Sequence, residues 1–271
     1  MSKSFASTFQ VTPGKFKLAD VDPSDKCGLE DKVLAKNQTD GFDTAIDEWQ
    51  NKLYAEGKRA LLLVLQGIDS AGKDGTVRAV FHTCGPIGVQ NVPFKAPTDV
   101  ELEHDFLWRV HAAVPRKGYI GIFNRSHYED VLVARVRKFA SPEVIEQRYD
   151  QINHFEKMLM HNGVTILKFM LHISKDEQAT RLKERVADPT KRWKFNPADL
   201  EDRKLWDDYM AAYEAALNRC STDLAPWHVI PSNRNWVRNY VIGRIVCEKL
   251  EEMNPQFPQA HGWDPKTIVI E

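Results

Sequence analysis

Apolar positions along the chain follow two rhythms. Ala45, Ile46, Trp49 and Leu53 recur at helical spacing and predict a helix over 43–56, stopped by Gly57. Residues 60–66 are apolar almost without alternation, the pattern of a strand covered on both faces. From there the rhythms take turns. Strands are predicted at 88–93, 119–123, 164–172 and 227–231. Helices are predicted at 73–83, 99–112, 127–138, 142–162, 175–186, 197–219 and 234–253. Asp188-Pro189 ends the helix over 175–186, and Trp236, Tyr240, Val241, Ile245 and Leu250 share one side of the last helix. Such alternation predicts an α/β domain, a parallel sheet with helices on both faces. Ligands in such sheets bind beyond the carboxyl ends of the strands.

The ends of the chain lack either rhythm. Residues 1–40 are polar and punctuated by Pro13-Gly14 and Asp22-Pro23. They are expected to form an extension with little regular structure that wraps the core or a partner subunit. Residues 254–271 hold three prolines and are expected to be an irregular tail. The domain proper is placed at 41–253.

The first predicted strand runs straight into Gly67-x4-Gly72-Lys73. Strand, glycine loop and helix start in that order form a phosphate-binding P-loop. Gly67, Ala71, Gly72, Lys73, Asp74 and Gly75 are therefore expected to line phosphate, with backbone N–H groups and the helix dipole facing the anion. Lys73 adds a point charge. Asp74 stands where a Walker A loop carries Ser or Thr, and Asp69 lies inside the loop. A carboxylate beside phosphate is repelled unless a cation lies between them. Asp69 is accordingly assigned to Mg²⁺ first and to base catalysis second, with Mn²⁺ as a substitute metal.

Two further segments carry chemistry. Arg125 follows the third strand and Glu129 lies four residues later, on the same face if the segment is helical. Glu129 and Asp130 can ligate Mg²⁺ or receive a substrate hydroxyl. The plain alternative is an exposed Arg125–Glu129 pair worth a few tenths of a kcal/mol, roughly. His127 is expected to pack rather than ligate, since no second His or Cys lies at metal spacing. The stretch 181–194 holds six basic residues against two acidic ones. A basic helix broken by proline after a strand is what a P-loop kinase lid looks like, here about 175–200. Arg181, Arg185, Lys191, Arg192 and Lys194 are its expected phosphate contacts, joined by Lys95 and Arg109. Residues 109–138 hold seven basic residues against two acidic. That is more charge than a small nucleotide needs and suits a long polyanion. Trp108 and Trp193 raise nucleic acid as that polyanion, but both are expected in the core, and nucleic acid is not favoured.

The totals narrow the field. The chain has 271 residues and a formal net charge of −1, so no global field points to nucleic acid or membrane. No apolar run approaches the ~20 residues of a membrane span, and no secretory h-region opens the sequence. Four scattered cysteines fit no zinc or disulfide framework and suggest the cytoplasm.

The chain resembles polyphosphate kinase family 2. The resemblance rests on residues 66–75 including Asp74, on Phe94-Lys95-Ala96-Pro97, on 104–109, on 121–132 and on Trp193-Lys194-Phe195-Asn196. It covers about 41–253. It implies a P-loop kinase fold like thymidylate kinase with a helical lid, and Mg²⁺-dependent transfer between inorganic polyphosphate and adenine or guanine nucleotides. It implies that Asp69 and Lys73 act as the P-loop pair and that Arg125, Glu129 and Asp130 form a Walker-B-like element. The chain looks most like the single-domain class that phosphorylates mono- and diphosphates, whose members are commonly homo-tetramers. Thymidylate kinases carry Asp-Arg where this chain has Asn124-Arg125, which puts more of the metal on Asp69 and Glu129 or Asp130. Two other readings stand beside this one. One is an ATP-dependent nucleoside monophosphate kinase, which the cation excess disfavours. The other is a non-catalytic nucleotide or polyphosphate sensor, which would not need Asp69, Arg125 and Glu129 together.

Overall fold

The computed structural model describes residues 4–259 and Ile270. Ten α-helices and five strands appear among them. In chain order they are α1 Lys32–Glu56, β1 Ala60–Gln66, α2 Lys73–Val80, β2 Val89–Pro93, α3 Asp99–Leu102, α4 Trp108–Ala113, β3 Ile120–Asn124, α5 Val133–Val136, α6 Pro142–His161, β4 Val164–His172, α7 Lys175–Ala187, α8 Ala198–Lys204, α9 Trp206–Cys220, β5 Trp227–Pro231 and α10 Asn235–Met253. The strands form one sheet in the order β2-β3-β1-β4-β5. Every pairing is parallel, as the alternation predicts.

Central β1 explains its own composition. All its positions are buried, because helices cover both faces of the sheet. Leu61, Leu62, Leu63 and Leu65 each contribute ~2 kcal/mol of burial. On one face α1 packs against α10, and Gly57 closes α1 in the left-handed region at φ 63°. The chain before α1 runs beside β5: Val11 N donates to the Trp227 carbonyl and Val229 N to the Phe9 carbonyl, both at 2.9 Å. Residues 1–3 of the extension and 260–269 and 271 of the tail lie outside the described residues.

Several boundaries depart from expectation for local reasons. α1 begins at Lys32, well before residue 43, because the Asp31 side chain caps it by accepting from the N–H groups of Val33 and Leu34. The helix expected over 99–112 is broken. Thr98 and Glu101 form a capping box on short α3, and Asp105 then accepts from Leu107 N at 2.9 Å. The helix expected over 127–138 is a 3₁₀ turn, His127–Asp130, followed by short α5. The helix expected over 197–219 breaks at Leu205 between α8 and α9. Trp108 and Trp193, expected in the core, are 45% and 76% exposed. Trp108 stacks on His104 at 4.2 Å instead.

Candidate active site

The P-loop follows β1 at the carboxyl edge of the sheet. Gly67 sits at φ 155°, and a Cβ there would lie 2.9 Å from both Ala71 Cβ and the Leu171 carbonyl, so neither neighbour leaves room for a side chain. Gly72 sits at φ 105°, a conformation open to glycine. The loop closes on itself through Ala71 N donating to the Ile68 carbonyl at 3.0 Å. Lys73, the first residue of α2, is buried, and its Nζ donates to the Gly67 carbonyl at 2.6 Å. Burial, and then Arg125, push its ammonium down from its ordinary 10.5 to about 8.

Arg125 leaves β3 in the left-handed conformation at φ 64°. That turn, rather than a helical face, aims its guanidinium at two carboxylates. It forms an ion pair with Asp69 and another with Glu129 at 3.3 Å. Burial opposes its charge, but Glu129 and Asp69 outweigh burial and raise its pKa. Asp130 faces elsewhere. It lies 3.7 Å from Arg148, and burial holds its carboxyl above the usual range against the pull of Arg148 and Arg109.

Asp74 ties the loop to the lid. It accepts from Asn124 Nδ2 at 2.7 Å and from Lys194 Nζ at 2.9 Å. Although burial opposes ionisation, these two donors keep its carboxyl below the usual range. Arg185 donates to Ser70 Oγ at 2.9 Å and lies 3.4 Å from Asp199. Arg181 grips backbone: its Nη1 donates to the Ser70 and Ala71 carbonyls and its Nη2 to those of Ser232 and Asn233.

These groups border two adjoining cavities. One, of about 800 Å³, is lined by the P-loop with Arg185, Lys191 and Lys194. The other, of about 730 Å³, is lined by Arg109, Glu129, Asp130 and Arg148 together with Phe94 and Phe139, and the Arg109 guanidinium lies 5.5 Å from the centre of the Phe94 ring. Lys95 and Arg125 line both. The structure thus brings Asp69, Lys73, Asp74, Gly72, Gly75, Lys95, Arg125, Arg181, Arg185, Lys191 and Lys194 to one cavity. Glu129, Asp130 and Arg109 fall in the other. Gly67 and Ala71 shape the loop from behind. Arg192 borders neither cavity, because its guanidinium turns back to the Val186 and Ala187 carbonyls at the end of α7. Among the described residues no three Asp, Glu, His or Cys side chains converge as a metal cage. Arg125 pairs with both Asp69 and Glu129, while Asp130 faces Arg148.

Three participants escape the sequence reading, and a fourth, Asn124, enters it only as a departure from an Asp-Arg pair. Asn124 bonds Asp74, Arg148 bonds the Asp130 carbonyl at 2.8 Å, Gln178 Nε2 donates to the Asp69 carbonyl at 3.1 Å, and Arg238 lies under the loop. Asn124 adjoins Arg125 and was legible as a strand-end polar residue. The other three sit inside long helices, where nothing in the spacing marks them. His127, expected to pack, is buried with its Nε2 3.2 Å from Glu156.

A parallel α/β sheet, a glycine loop on a buried lysine and a cationic flap over both define a P-loop phosphotransferase. Residues 30–258 match the family model described as Polyphosphate kinase 2. The chain belongs to the Polyphosphate kinase 2 family. It is 49% identical over 263 residues to an AMP/ADP-polyphosphate phosphotransferase of Meiothermus ruber, covering 96% of this chain and 98% of that one. It is 39% identical over 230 residues to an ADP-polyphosphate phosphotransferase of Rhodopseudomonas palustris, covering 79% and 78%. The crystal structure of Polyphosphate Kinase 2 from Arthrobacter aurescens TC1 superposes with a TM-score of 0.93 at 44% identity, covering 98% of this chain and 95% of that one. The α/β P-loop architecture expected from the sequence is the one observed. Among the described residues no helix is long and apolar enough to cross a membrane.

Proposed function

We propose that the chain moves the terminal phosphate of inorganic polyphosphate to AMP and ADP, reversibly, as a polyphosphate:nucleotide phosphotransferase. One observation carries the pairing of substrates. Two cavities share Lys95 and Arg125, one lined by P-loop and lid cations, the other by both charged and apolar side chains. The first suits a polyanion whose charges repeat along its length. The second suits a nucleotide, since its lining offers Arg109 and Arg148 to phosphate and Phe94 and Phe139 to a base. Apolar walls read few base edges, which supports use of both adenine and guanine.

The residues near the junction account for transfer without a covalent enzyme intermediate. The acceptor phosphate loses its second proton near pH 6, roughly, so it attacks already ionised and charge screening matters more than a base. Lys73 exchanges the Gly67 carbonyl for a phosphate oxygen. Arg125, shared by both cavities, faces the phosphoryl group in transit, and Arg185, Lys191 and Lys194 hold the remainder of the chain. Asp69 and Glu129 would hold Mg²⁺, with Mn²⁺ as a substitute, together with substrate oxygens, because Mg²⁺ commonly takes one or two carboxylates and keeps waters, while Asp74 is taken by Asn124 and Lys194. When bound the metal neutralises charge between donor and acceptor. A homo-tetramer in the cytoplasm belongs to the same reading.

Product analysis with Mg²⁺, polyphosphate and AMP or ADP, and no added ATP, tests the proposal. ADP and ATP are the expected products. ATP from ADP alone would overturn AMP as an acceptor. Turnover only with ATP and a monophosphate would move the chain to the nucleoside monophosphate kinases, and no turnover at all would leave the sensor.

A further inference from the structure

Among the described residues, one cation beneath the loop has no partner of opposite charge. Arg238, on α10, is 2% exposed. Its Nη1 donates to the Ala71 carbonyl at 3.2 Å and to Asn235 Oδ1 at 2.8 Å. Its Nε and Nη2 donate to Asn239 Oδ1 at 3.1 and 2.9 Å. Every one of these acceptors is neutral. The charge felt most closely is another cation, Arg181, and burial together with Arg181 pushes the Arg238 guanidinium down to about 9. A buried cation without a counter-ion is costly to keep. Arg238 nevertheless borders the P-loop cavity, alongside Lys73, Arg185 and Lys194.

Two glycines follow the outline of this side chain. A Cβ on Gly72 would overlap Arg238 Nη1, and a Cβ on Gly75 would lie 3.3 Å from Nη2. The turn that presents Lys73 and Asp74 is therefore moulded on the guanidinium.

We propose that Arg238 is a positioning residue for the phosphate chain, holding the Gly72–Gly75 turn from behind and supplying a fixed positive charge whose counter-ion is polyphosphate. This rests on the reading of the cavity as the polyphosphate seat. Arg238 does not border the nucleotide cavity, so the inference concerns donor binding alone.

The test compares wild type with Arg238→Met and Arg238→Lys. Titration calorimetry with inorganic tripolyphosphate and Mg²⁺ measures donor affinity, and thermal unfolding with and without tripolyphosphate measures stability. KM is determined separately for polyphosphate and ADP. Arg238→Met should match or exceed the wild-type midpoint without ligand, since it removes an unpaired buried charge. The same variant should bind tripolyphosphate about tenfold more weakly or worse, raise the KM for polyphosphate in proportion, and hold the KM for ADP within about twofold. Arg238→Lys should recover most of the affinity. Unchanged tripolyphosphate affinity in folded Arg238→Met would overturn the proposal, as would an equal rise in both KM values. If Arg238→Met does not fold, Arg238→Lys decides. Affinity within about threefold of wild type supports the fixed charge, and loss of about tenfold or more overturns it. A wild-type enzyme that does not bind tripolyphosphate would instead overturn the reading of the cavity.

Discussion

Glu156→Ala should unfold much of the margin by which this enzyme is stable. Glu156 stands in a closed polar cluster behind the turn at His127–Asp130. Its Oε2 accepts from Lys168 Nζ at 2.5 Å, and its Oε1 accepts from Tyr128 OH at 2.8 Å and lies 3.2 Å from His127 Nε2. Lys168 and Glu156 are both fully buried. Burial opposes the Glu156 charge, but Lys168 and His127 outweigh it and hold the carboxyl below its ordinary range. Such a group adds stability at neutral pH that is lost as pH falls through its lowered value. In Glu156→Ala the ammonium keeps only the Tyr128 hydroxyl at 2.9 Å and the Cys220 carbonyl at 2.7 Å. Leaving a buried charge without its partner costs ~3–5 kcal/mol, against a total stability of ~5–15 kcal/mol. At ~2–4 °C per kcal/mol the midpoint should fall by about 6–20 °C in calorimetry or in thermal denaturation followed by circular dichroism. The double variant Glu156→Leu, Lys168→Met removes both charges and should recover all but about 2 kcal/mol. A loss below about 1 kcal/mol in the single variant, or a double variant no better than it, would refute the argument. Since the same cluster seats the turn that carries Glu129, surviving Glu156→Ala enzyme should also show a raised KM for nucleotide.

Two further outcomes follow from the site. Between pH 8 and 10.5, the folded and ordinary values for Lys73, the unfolded chain holds a proton that the ligand-free fold has released, so the Lys73 penalty on folding shrinks as pH rises. Bound phosphate requires that proton back, so tripolyphosphate affinity by calorimetry should fall above pH 8, by up to about tenfold per pH unit, and Lys73→Met should remove most of that slope. A flat wild-type profile would sink the assignment. Arg185→Ala breaks the bond to Ser70 Oγ and the approach to Asp199. It should raise the KM for polyphosphate by about tenfold while the KM for AMP or ADP moves far less, and equal losses would argue against a donor groove under the lid.

Elements whose sequence pattern follows from burial were legible almost to the residue. β4 and β5 begin and end where expected, because their apolar runs are bounded by turn residues on both sides. The P-loop was legible because Gly67 and Gly72 answer to contacts that exclude a Cβ, and that constraint leaves a mark in sequence. The first half of α1 left none. Its buried face there is Ala35, Thr39 and Asp43, a stripe that does not read as apolar. The break at 103–107 and the 3₁₀ turn after Arg125 depend on side-chain caps and on a left-handed residue, neither of which periodicity reports. A sequence reports charge as amount rather than direction. Arg192 and Arg185 looked alike in the basic stretch, yet one turns onto helix carbonyls and the other onto the loop. Trp193 looked like core because it is aromatic, but it rides on the lid with Lys194 over its ring at 5.1 Å.

The direction of those charges also explains how a site this cationic persists before any phosphate binds. Most of its cations are held by acceptors that a phosphate oxygen can replace. Lys73 is held by a loop carbonyl, Lys194 by Asp74, and Arg125 by both Asp69 and Glu129. Each exchange costs little, since one charge-assisted hydrogen bond is traded for another of similar strength. The exchange at Arg125 has a second effect. Phosphate oxygens that take its guanidinium leave Asp69 and Glu129 as unpaired carboxylates beside new negative charge, which is the arrangement that needs a divalent cation between them. In the proposed mechanism, seating of the anion and demand for the metal are thus two sides of one displacement. In that mechanism the carboxylates that pair with Arg125 in the free enzyme are the ones that would face a cation when the donor binds. Arg238 stands outside this exchange because its acceptors are amides and a backbone carbonyl, with no carboxylate among them.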